Sequence, residues 1–225
     1  FAFVIRKNTF EPYKLQNKIS TTYEMTREDA IKIIADSLSD NDIVVSTTGK
    51  TSRELCEYRE ELGQGYENDF LTVGSMGHAS QIALGIALQK PDKQIYCFDG
   101  DGAVIMHTGS LGIIGAAEPN NFVHIVFNNG AHDSVGGQPT IGFDTNFTKI
   151  AESFNYKFVL KIKTINDLKT FCKNDKTISG PAFIEVCVNK GARKDLGRPK
   201  KTTIENKMAI MKNLNKWYKK NIFIL

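Results

Sequence analysis

QIYCFDGDG (residues 94–102) and FVHIVFNNG (residues 122–130) are the two stretches of sequence that decide the fold. Each is an apolar run of strand length that ends abruptly in glycine, aspartate or asparagine, as a buried strand does before a tight turn. Similar apolar runs at 42–46 and 182–188 are separated from them by segments with helical periodicity. Strands that alternate with helices predict an α/β fold, here a three-layer α/β/α, doubly wound domain with a mainly parallel sheet.

The same pattern indicates one domain with a segment on either side. We expect a leading arm, or a remnant of an interdomain linker, over 1–20 and the sheet-forming domain over 21–190. A basic segment and a C-terminal helix, packed on the same domain, are expected over 191–225. Thr26 is the expected N-cap of the first helix. The last helix, predicted over 204–218, has one apolar side made of Ile204, Met208, Met211, Leu214 and Trp217.

The composition is that of a soluble globular protein. Of 225 residues, 41% are hydrophobic and 24% are charged, which argues against a disordered chain or a coiled coil. No run approaches the length of a membrane-spanning helix, and a net charge of +4 does not by itself imply nucleic acid. The four cysteines lack CxxC spacing, which predicts reduced thiols in a cytoplasmic protein. Because the sequence begins at Phe1 and not at Met, we expect a partial or processed chain.

The ends of the two deciding strands predict a binding site. The gap between them can hold one helix and one return strand, so the two strands are expected to be neighbours. In such sheets ligands bind beyond the carboxyl ends of the strands. The carboxylate of Asp101, the amide of Asn129 and a backbone carbonyl from the turn after Asn129 would then converge. Three oxygen ligands suit Mg²⁺, which completes its octahedral shell with water and phosphate oxygens.

Glycines beside these ligands point to a phosphate group. Gly100 and Gly102 would let the backbone approach a phosphate closely, and the amides of the following helix could face the same anion. The spacing therefore predicts a metal-bridged diphosphate site. The alternative interpretation is a pair of ordinary βα turns that happen to carry aspartate and asparagine.

The sequence from Gly100-Asp101-Gly102 to Asn128-Asn129 resembles the cofactor motif of thiamine diphosphate (ThDP)-dependent enzymes, in the domain that binds the diphosphate. Within that superfamily the chain is most similar to decarboxylases of phosphonopyruvate, with sulfopyruvate decarboxylases as close neighbours. The segments that carry the similarity include STTGKTSREL (46–55), GSMG (74–77), NNGAHDSVGGQPT (128–140) and ARKDLGRP (192–199). The resemblance implies ThDP and Mg²⁺ as cofactors.

The resemblance also implies a role for each matching residue. Asp101, Asn129 and the carbonyl of Ala131 match the Mg²⁺ ligands. The matches to cofactor-binding positions are Gly74, Met76, Gly100, Gly102, Ala103 and Asn128. Among them, the carbonyl of Gly74 would accept a hydrogen bond from the aminopyrimidine, and Met76 would hold the cofactor bent. Many family members carry serine at the position of Ala103, so a hydroxyl contact to the diphosphate is absent here.

His132 and Asp133 follow the expected metal turn and are the candidates for catalysis. They could orient the substrate or transfer a proton, and the alternative is a solvated polar loop. The family also needs a glutamate against the pyrimidine ring, and no residue of this chain resembles it. The resemblance assigns that glutamate to a pyrimidine-binding domain of the same or another chain, so we expect this chain alone to be inactive.

Two basic segments are candidates for holding the acidic tail of a substrate. Lys50, Thr51 and Ser52 follow the first strand, where their side chains and the helix amides could bind a phosphonate; helix capping beside a surface lysine is the alternative. Arg193 and Arg198 lie in a basic run and could reach the same anion. That run is otherwise a solvated linker, and a nucleic-acid arm is disfavoured because no aromatic residues are interleaved with the charges.

These observations and the resemblance together predict the ThDP- and Mg²⁺-binding half of a 2-oxo acid decarboxylase. The expected reaction converts 3-phosphonopyruvate to phosphonoacetaldehyde and CO₂ in phosphonate biosynthesis. A sulfopyruvate decarboxylase, an acetolactate synthase-like ThDP enzyme and a non-catalytic nucleotide-binding module are the alternatives. The resemblance implies a homo-oligomer, and we expect neither nucleic acid nor membrane as a partner.

Overall fold

Six parallel strands form the central sheet of the structure, a computed structural model that describes residues 1–16 and 20–221, with side chains described as far as residue 215. These strands are β1 (Ile43–Ser46), β2 (Asp69–Leu71), β3 (Ile95–Gly100), β4 (Phe122–Asn128), β7 (Phe158–Ile162) and β8 (Ala182–Cys187). A small antiparallel hairpin, β5 (Ala131–His132) and β6 (Gln138–Pro139), follows β4. The order across the main sheet is β2-β1-β3-β4-β8-β7, which confirms the predicted parallel sheet and the pairing of β3 with β4.

Helices cover both faces of this sheet. They are α1 (Arg27–Ala35), α2 (Lys50–Glu61), α3 (Ala79–Gln89), α4 (Asp101–Met106), α5 (Gly109–Ala117), α6 (Phe147–Ser153), α7 (Ile165–Asn174) and α8 (Thr203–Asn221). One hydrophobic cluster joins the sheet to α1, α2 and α7, and a second joins it to α3, α5 and α6. The expected three layers are therefore confirmed, and each inner strand is buried on both sides.

Local sequence explains where α1 begins. Thr26 Oγ1 accepts a hydrogen bond from the Asp29 N–H at 3.1 Å, and the Asp29 carboxylate accepts one from the Thr26 N–H at 2.9 Å. This reciprocal capping box satisfies two backbone donors that the first turn of a helix leaves free. The expected N-cap is thus confirmed.

Among the described side chains, the C-terminal helix packs through a side that shares only Leu214 with the predicted one. Ile210 and Leu214 are buried, whereas Ile204, Met208 and Met211 are exposed, and the side chain of Trp217 lies outside the described residues. The hydrogen bonds of a polar side chain explain this orientation of the helix. Asn206 accepts a hydrogen bond from the Leu71 N–H at 2.9 Å and donates one to the Asp69 carbonyl at 2.8 Å, so its amide completes the open edge of β2.

Residues 1–16 form no helix or strand, and all four cysteines are free thiols, with Cys97 and Cys187 fully buried in β3 and β8. None of the helices in the described residues is long and apolar enough to cross a bilayer.

Gly115 lets α5 pack closely against the backbone of Phe154, and this packing should contribute to stability. A Cβ at Gly115 would lie 1.5 Å from the Phe154 carbonyl oxygen, whereas a Cβ at Gly85 in α3 would meet nothing within 4 Å. We expect Gly115→Ala to lower the free energy of unfolding by about 2 kcal/mol through overpacking. Gly85→Ala should raise it by about 0.5 kcal/mol, because alanine loses less backbone entropy. Urea unfolding followed by circular dichroism measures both, and a neutral Gly115→Ala would contradict the packing.

Candidate functional site

A cavity opens at the carboxyl edge of the sheet, where the strand order reverses. β1 pairs with β2 on one side and with β3 on the other, so the loops after β1 and β3 diverge and leave a crevice between them. The loop after β4 and the first residue of α1 close this crevice. The lining residues are Arg27, Thr47, Thr48, Lys50, Thr51, Met76, Gly100, Asp101, Gly102, Ala103, Phe127, Asn129, Ala131, His132, Asp133 and Ser134.

Most of the predicted site residues meet in this one cavity. The three predicted metal ligands line it together with four predicted cofactor residues, both catalytic candidates, Lys50 and Thr51. Segments at the carboxyl ends of four different strands, β1 to β4, contribute them, which is the convergence expected from the parallel order. The metal, cofactor and substrate roles of these residues stay predictions.

Asp101 is a buried carboxylate at the start of α4. It is 2% exposed, and one of its oxygens accepts a hydrogen bond from Thr140 Oγ1. Burial raises the pKa of Asp101, and the hydrogen bonds from Thr140 and the Gly102 N–H offset part of that shift. A carboxylate that is costly to ionise in the free protein is stabilised when a cation binds beside it. Asp101 therefore fits the predicted metal site.

Asn129 and Ala131 are joined within the turn that follows β4. The Ala131 N–H donates to Asn129 Oδ1 at 3.1 Å, and Asn129 Nδ2 donates to an Asp133 carboxylate oxygen at 2.7 Å. Asn129 is 3% exposed, so both ends of its amide are held by protein groups. Carboxylate, amide and carbonyl oxygens form the hard donor set that Mg²⁺ prefers.

The floor of the cavity is shaped for close approach. A Cβ at Gly102 would lie 2.6 Å from His132 Cε1 and 3.1 Å from Met76 Cε, so only glycine leaves room between these side chains. The imidazole and the thioether thus both lie against backbone that a phosphate could reach. This cradle fits the predicted diphosphate.

The start of α2 offers polar groups to an anion on the opposite wall. Gly49 caps this helix without any side-chain hydrogen bond, and its first turn carries no acidic residue. Thr47 Oγ1 is buried and has no hydrogen-bond partner in the described part of the chain. Free backbone amides, an unpartnered hydroxyl and Lys50 together favour a bound anion.

A buried ion pair borders the cavity, and sequence reasoning missed it. Arg27 Nε and Nη2 contact the two oxygens of Glu54 at 2.7 and 2.9 Å, and Arg27 Nη1 lies 3.3 Å from the Asp133 carboxylate. Burial raises the pKa of Glu54, and the hydrogen bonds and charge of Arg27 oppose that shift. A signal existed, because Arg27 is in phase with the buried residues Ala30, Ile31 and Ile34 of α1.

A second polar group supports the turn after β3 from inside the sheet. Asp99 accepts a hydrogen bond from the Gly100 N–H at 3.0 Å, and its other oxygen lies 3.4 Å from His124 Nε2. His124 Nδ1 lies 3.2 Å from the Tyr156 hydroxyl. Cys97, Asp99 and His124 are close enough to ligate a metal, but these hydrogen bonds already engage the imidazole and the carboxylate.

Asn128 and Gly74 lie outside the cavity lining. Asn128 is fully buried and donates to the Gly142 carbonyl and to Glu185, both at 2.8 Å, so it anchors a loop and is not a wall of the site. Gly74 is exposed, and its N–H donates to Thr48 Oγ1 at 3.0 Å. The expected contact of Asn128 with the cofactor stays a prediction.

Three of the predicted anion-binding side chains are also placed elsewhere. The Ser52 hydroxyl donates to the Thr47 carbonyl at 2.6 Å and is buried. Arg193 pairs with Glu28 at 3.1 Å and with Glu57, and it lines a separate cavity. Arg198 is exposed and does not line the cavity. Acidic side chains on α1 and α2 thus engage Arg193, and its expected contact with the substrate stays a prediction.

Comparison with known proteins identifies the families to which this sequence is similar. Residues 47–186 match the family model of the thiamine pyrophosphate enzyme C-terminal TPP binding domain. The chain is 37% identical over 180 residues to a phosphonopyruvate decarboxylase of Streptomyces viridochromogenes, covering 80% of this chain and 44% of that protein. It is 40% identical over 127 residues to the sulfopyruvate decarboxylase subunit beta of Methanocaldococcus jannaschii, covering 56% and 64%.

A solved structure agrees on the fold. An enzyme of Mycobacterium smegmatis described as thiamin diphosphate-dependent superposes with a TM-score of 0.62 at 20% identity, over 80% of this chain and 35% of its own. The chain spans less than half the length of the phosphonopyruvate decarboxylases that it matches.

The buried ion pair between Arg27 and Glu54, beside the cavity, should contribute to the stability of the fold. Glu54→Ala leaves a buried guanidinium without its two-pronged partner, and we expect the free energy of unfolding to fall by about 3 kcal/mol. Glu57→Ala, on the same helix, removes a glutamate whose side chain is 27% exposed, and the loss should stay under about 1 kcal/mol. Urea unfolding of the two variants compares them directly. Equal losses would contradict the importance of the buried pair.

Proposed function

We propose that this chain, which belongs to the thiamine pyrophosphate enzymes through their C-terminal TPP binding domain, is the ThDP- and Mg²⁺-binding half of a 2-oxo acid decarboxylase. The observation that carries the proposal is the meeting of Asp101, Asn129 and Ala131, from the ends of two adjacent strands, in one cavity. The substrate that we propose is 3-phosphonopyruvate, supported by relatives that are named as its decarboxylases. A cytoplasmic location is part of the proposal, supported by four free thiols.

In this proposal Asp101, Asn129 and the carbonyl of Ala131 hold Mg²⁺, and the backbone of Gly102 and Ala103 receives the diphosphate. The Met76 side chain, which lies against Gly102, supplies an apolar contact for the body of the cofactor. When bound, ThDP supplies the electron sink for the electron pair that remains when CO₂ leaves a 2-oxo acid.

The chain's own residues have two further tasks in the proposed reaction. The conversion of 3-phosphonopyruvate to phosphonoacetaldehyde and CO₂ breaks one carbon–carbon bond and consumes one proton. His132, which lines the cavity above Gly102, is the proposed group for holding or delivering that proton. Lys50, Thr51 and the amides at the start of α2 are proposed to bind the phosphonate.

Sulfopyruvate is the second candidate substrate. The support is the 40% identity to a sulfopyruvate decarboxylase subunit beta, which exceeds the identity to either phosphonopyruvate decarboxylase over a shorter stretch. Both substrates place an anionic tail three atoms from the carboxylate that is lost, so the same basic wall would serve either one. Turnover of 3-phosphonopyruvate, 3-sulfopyruvate and pyruvate in parallel separates the two candidates.

A complementary pyrimidine-binding domain, on the same or another chain, is also part of the proposal. It would supply the glutamate that the family places against the pyrimidine ring, within an oligomer. The support is that the relatives include both longer decarboxylases and separate beta subunits. We expect no decarboxylation by the 225 residues alone and turnover once the complementary domain is added, and turnover by the chain alone would refute this.

The cofactor proposal predicts binding that depends on the metal. Calorimetry should detect ThDP binding in the presence of Mg²⁺ and none in excess EDTA, because the diphosphate is held through the cation. Asp101→Ala should abolish the heat, whereas Asp144→Ala, an exposed carboxylate of the following loop, should leave it unchanged. ThDP binding that is insensitive to EDTA would favour the nucleotide-binding alternative.

The phosphonate site predicts a kinetic signature. With the complementary domain present, Lys50→Gln should raise the KM for 3-phosphonopyruvate about tenfold with little change in kcat, because it removes binding that the ground and transition states share. Lys169→Gln on α7, where the lysine is exposed, is the matched control. A fall in kcat at constant KM would instead give Lys50 a part in the chemistry.

A further inference from the structure

We propose that Asp133 is a positioning residue that decides which end of the Asn129 side-chain amide faces the cation, and that the Arg27–Glu54 ion pair holds Asp133 in place. The inference rests on the proposed function in one respect, that Asn129 is a Mg²⁺ ligand. In this inference Asp133 acts through Asn129, whereas the prediction from sequence was that it acts on the substrate.

The need for such a residue comes from the symmetry of an amide. The oxygen and nitrogen ends of asparagine have nearly the same size, but only the oxygen can bind a cation. Asp133 is a carboxylate and can only accept hydrogen bonds, and its Oδ2 lies 2.7 Å from Asn129 Nδ2. The nitrogen is thereby committed to Asp133. The oxygen is left on the side of Ala131, whose N–H donates to it at 3.1 Å.

Asp133 is itself held from three directions. Its Oδ2 accepts hydrogen bonds from Asn129, from the Gly191 N–H at 2.9 Å and from Arg27 Nη1 at 3.3 Å. These donors come from the turn after β4, the loop after β8 and the start of α1. The Asp133 side chain is 8% exposed, so little water competes for this oxygen.

The ion pair behind Asp133 explains how a buried arginine can act as its support. Glu54 binds Arg27 through two parallel contacts of 2.7 and 2.9 Å, and this fork fixes the plane of the guanidinium. The remaining nitrogen, Nη1, then points at Asp133. A lysine could not form this arrangement, because its ammonium lacks the planar fork. The pair thus sets the position of Asp133, and Asp133 sets the orientation of Asn129.

Metal affinity is the property that this arrangement should control. Groups that orient a metal ligand through a hydrogen bond typically change metal affinity 10- to 100-fold when they are removed. A residue that acts only on the substrate would change turnover and leave metal affinity alone. Mn²⁺ is a suitable probe, because it accepts the same oxygen ligands and its free form is counted by electron paramagnetic resonance.

The test titrates Mn²⁺ into the 225-residue chain at saturating ThDP. Asp133→Ala should weaken Mn²⁺ binding roughly 10- to 100-fold. Asp133→Asn keeps an oxygen acceptor of the same shape and should regain most of that loss. Asp144→Ala, which removes an exposed carboxylate from the next loop, should bind as the wild type does. Circular dichroism and a melting curve show whether each variant is folded.

The outcomes separate this inference from the proposed function. Mn²⁺ binding by the wild type that disappears in Asp101→Ala supports the metal site. If Asp133→Ala then binds within about twofold of the wild type, or Asp133→Asn loses as much as Asp133→Ala, the inference is overturned and the metal site stands. Absence of Mn²⁺ binding in the folded wild type would overturn both.

The role of the ion pair is tested by non-additivity. Arg27→Met combined with Glu54→Gln removes both charges of the pair, so neither partner is left as a lone buried charge, and Asp133 keeps its hydrogen bonds from Asn129 and the Gly191 N–H. This double change should weaken Mn²⁺ binding in the wild-type background and have no further effect in Asp133→Ala, because it acts through that carboxylate. Additive losses in the two backgrounds would show that the pair acts by another route and would overturn this part of the proposal.

Discussion

Parallel hydrogen bonding between β3 and β4 pairs Gly100 with Phe127, so the two strands leave the sheet side by side and at the same height. The residues that come next, Asp101 and then the Asn128–Asn129 pair, therefore begin their turns as neighbours. The rest of the site depends on this register. A shift of one residue would exchange the faces of the sheet to which the β4 side chains point, and it would move the amide of Asn129 away from the cavity.

Burial at this edge has an electrostatic cost that the surrounding loops reduce. Asp101 is desolvated, which raises its pKa, and Thr140, which directly follows the β5–β6 hairpin, donates a hydrogen bond to it. Asn128 fastens the Gly142 backbone, and Asp133 joins the Gly191 backbone to the guanidinium of Arg27. The segments that carry Thr140, Gly142 and Gly191 are thus each held by a buried polar side chain, which limits their freedom before any ligand arrives.

The basic residues at the carboxyl edge differ in their position relative to the cavity. Lys50 and Arg193 both follow strands at the carboxyl edge, but only Lys50 lines the cavity. Arg193 is engaged by Glu28 and Glu57, which α1 and α2 present on their neighbouring sides. Asn206 affects the packing of α8 in a similar way. Its side-chain amide bonds to the edge of β2, so the more apolar side of α8 does not face the sheet.

What the sequence by itself determined is everything that depends on local pattern: the parallel strands, the capped first helix, and the two turns that carry Asp101 and Asn129. Apolar runs, glycines and capping residues act over a few neighbouring positions, so their structural effect can be predicted before the fold is known. Only the tertiary structure decided that Arg27, Glu54 and Asp133 contact one another. It also decided that Asn128 and Arg193 do not line the cavity, and on which side α8 packs. Arg27 and Asp133 are 106 residues apart, and hydrogen bonds between such remote groups exist only after the sheet has brought its loops together.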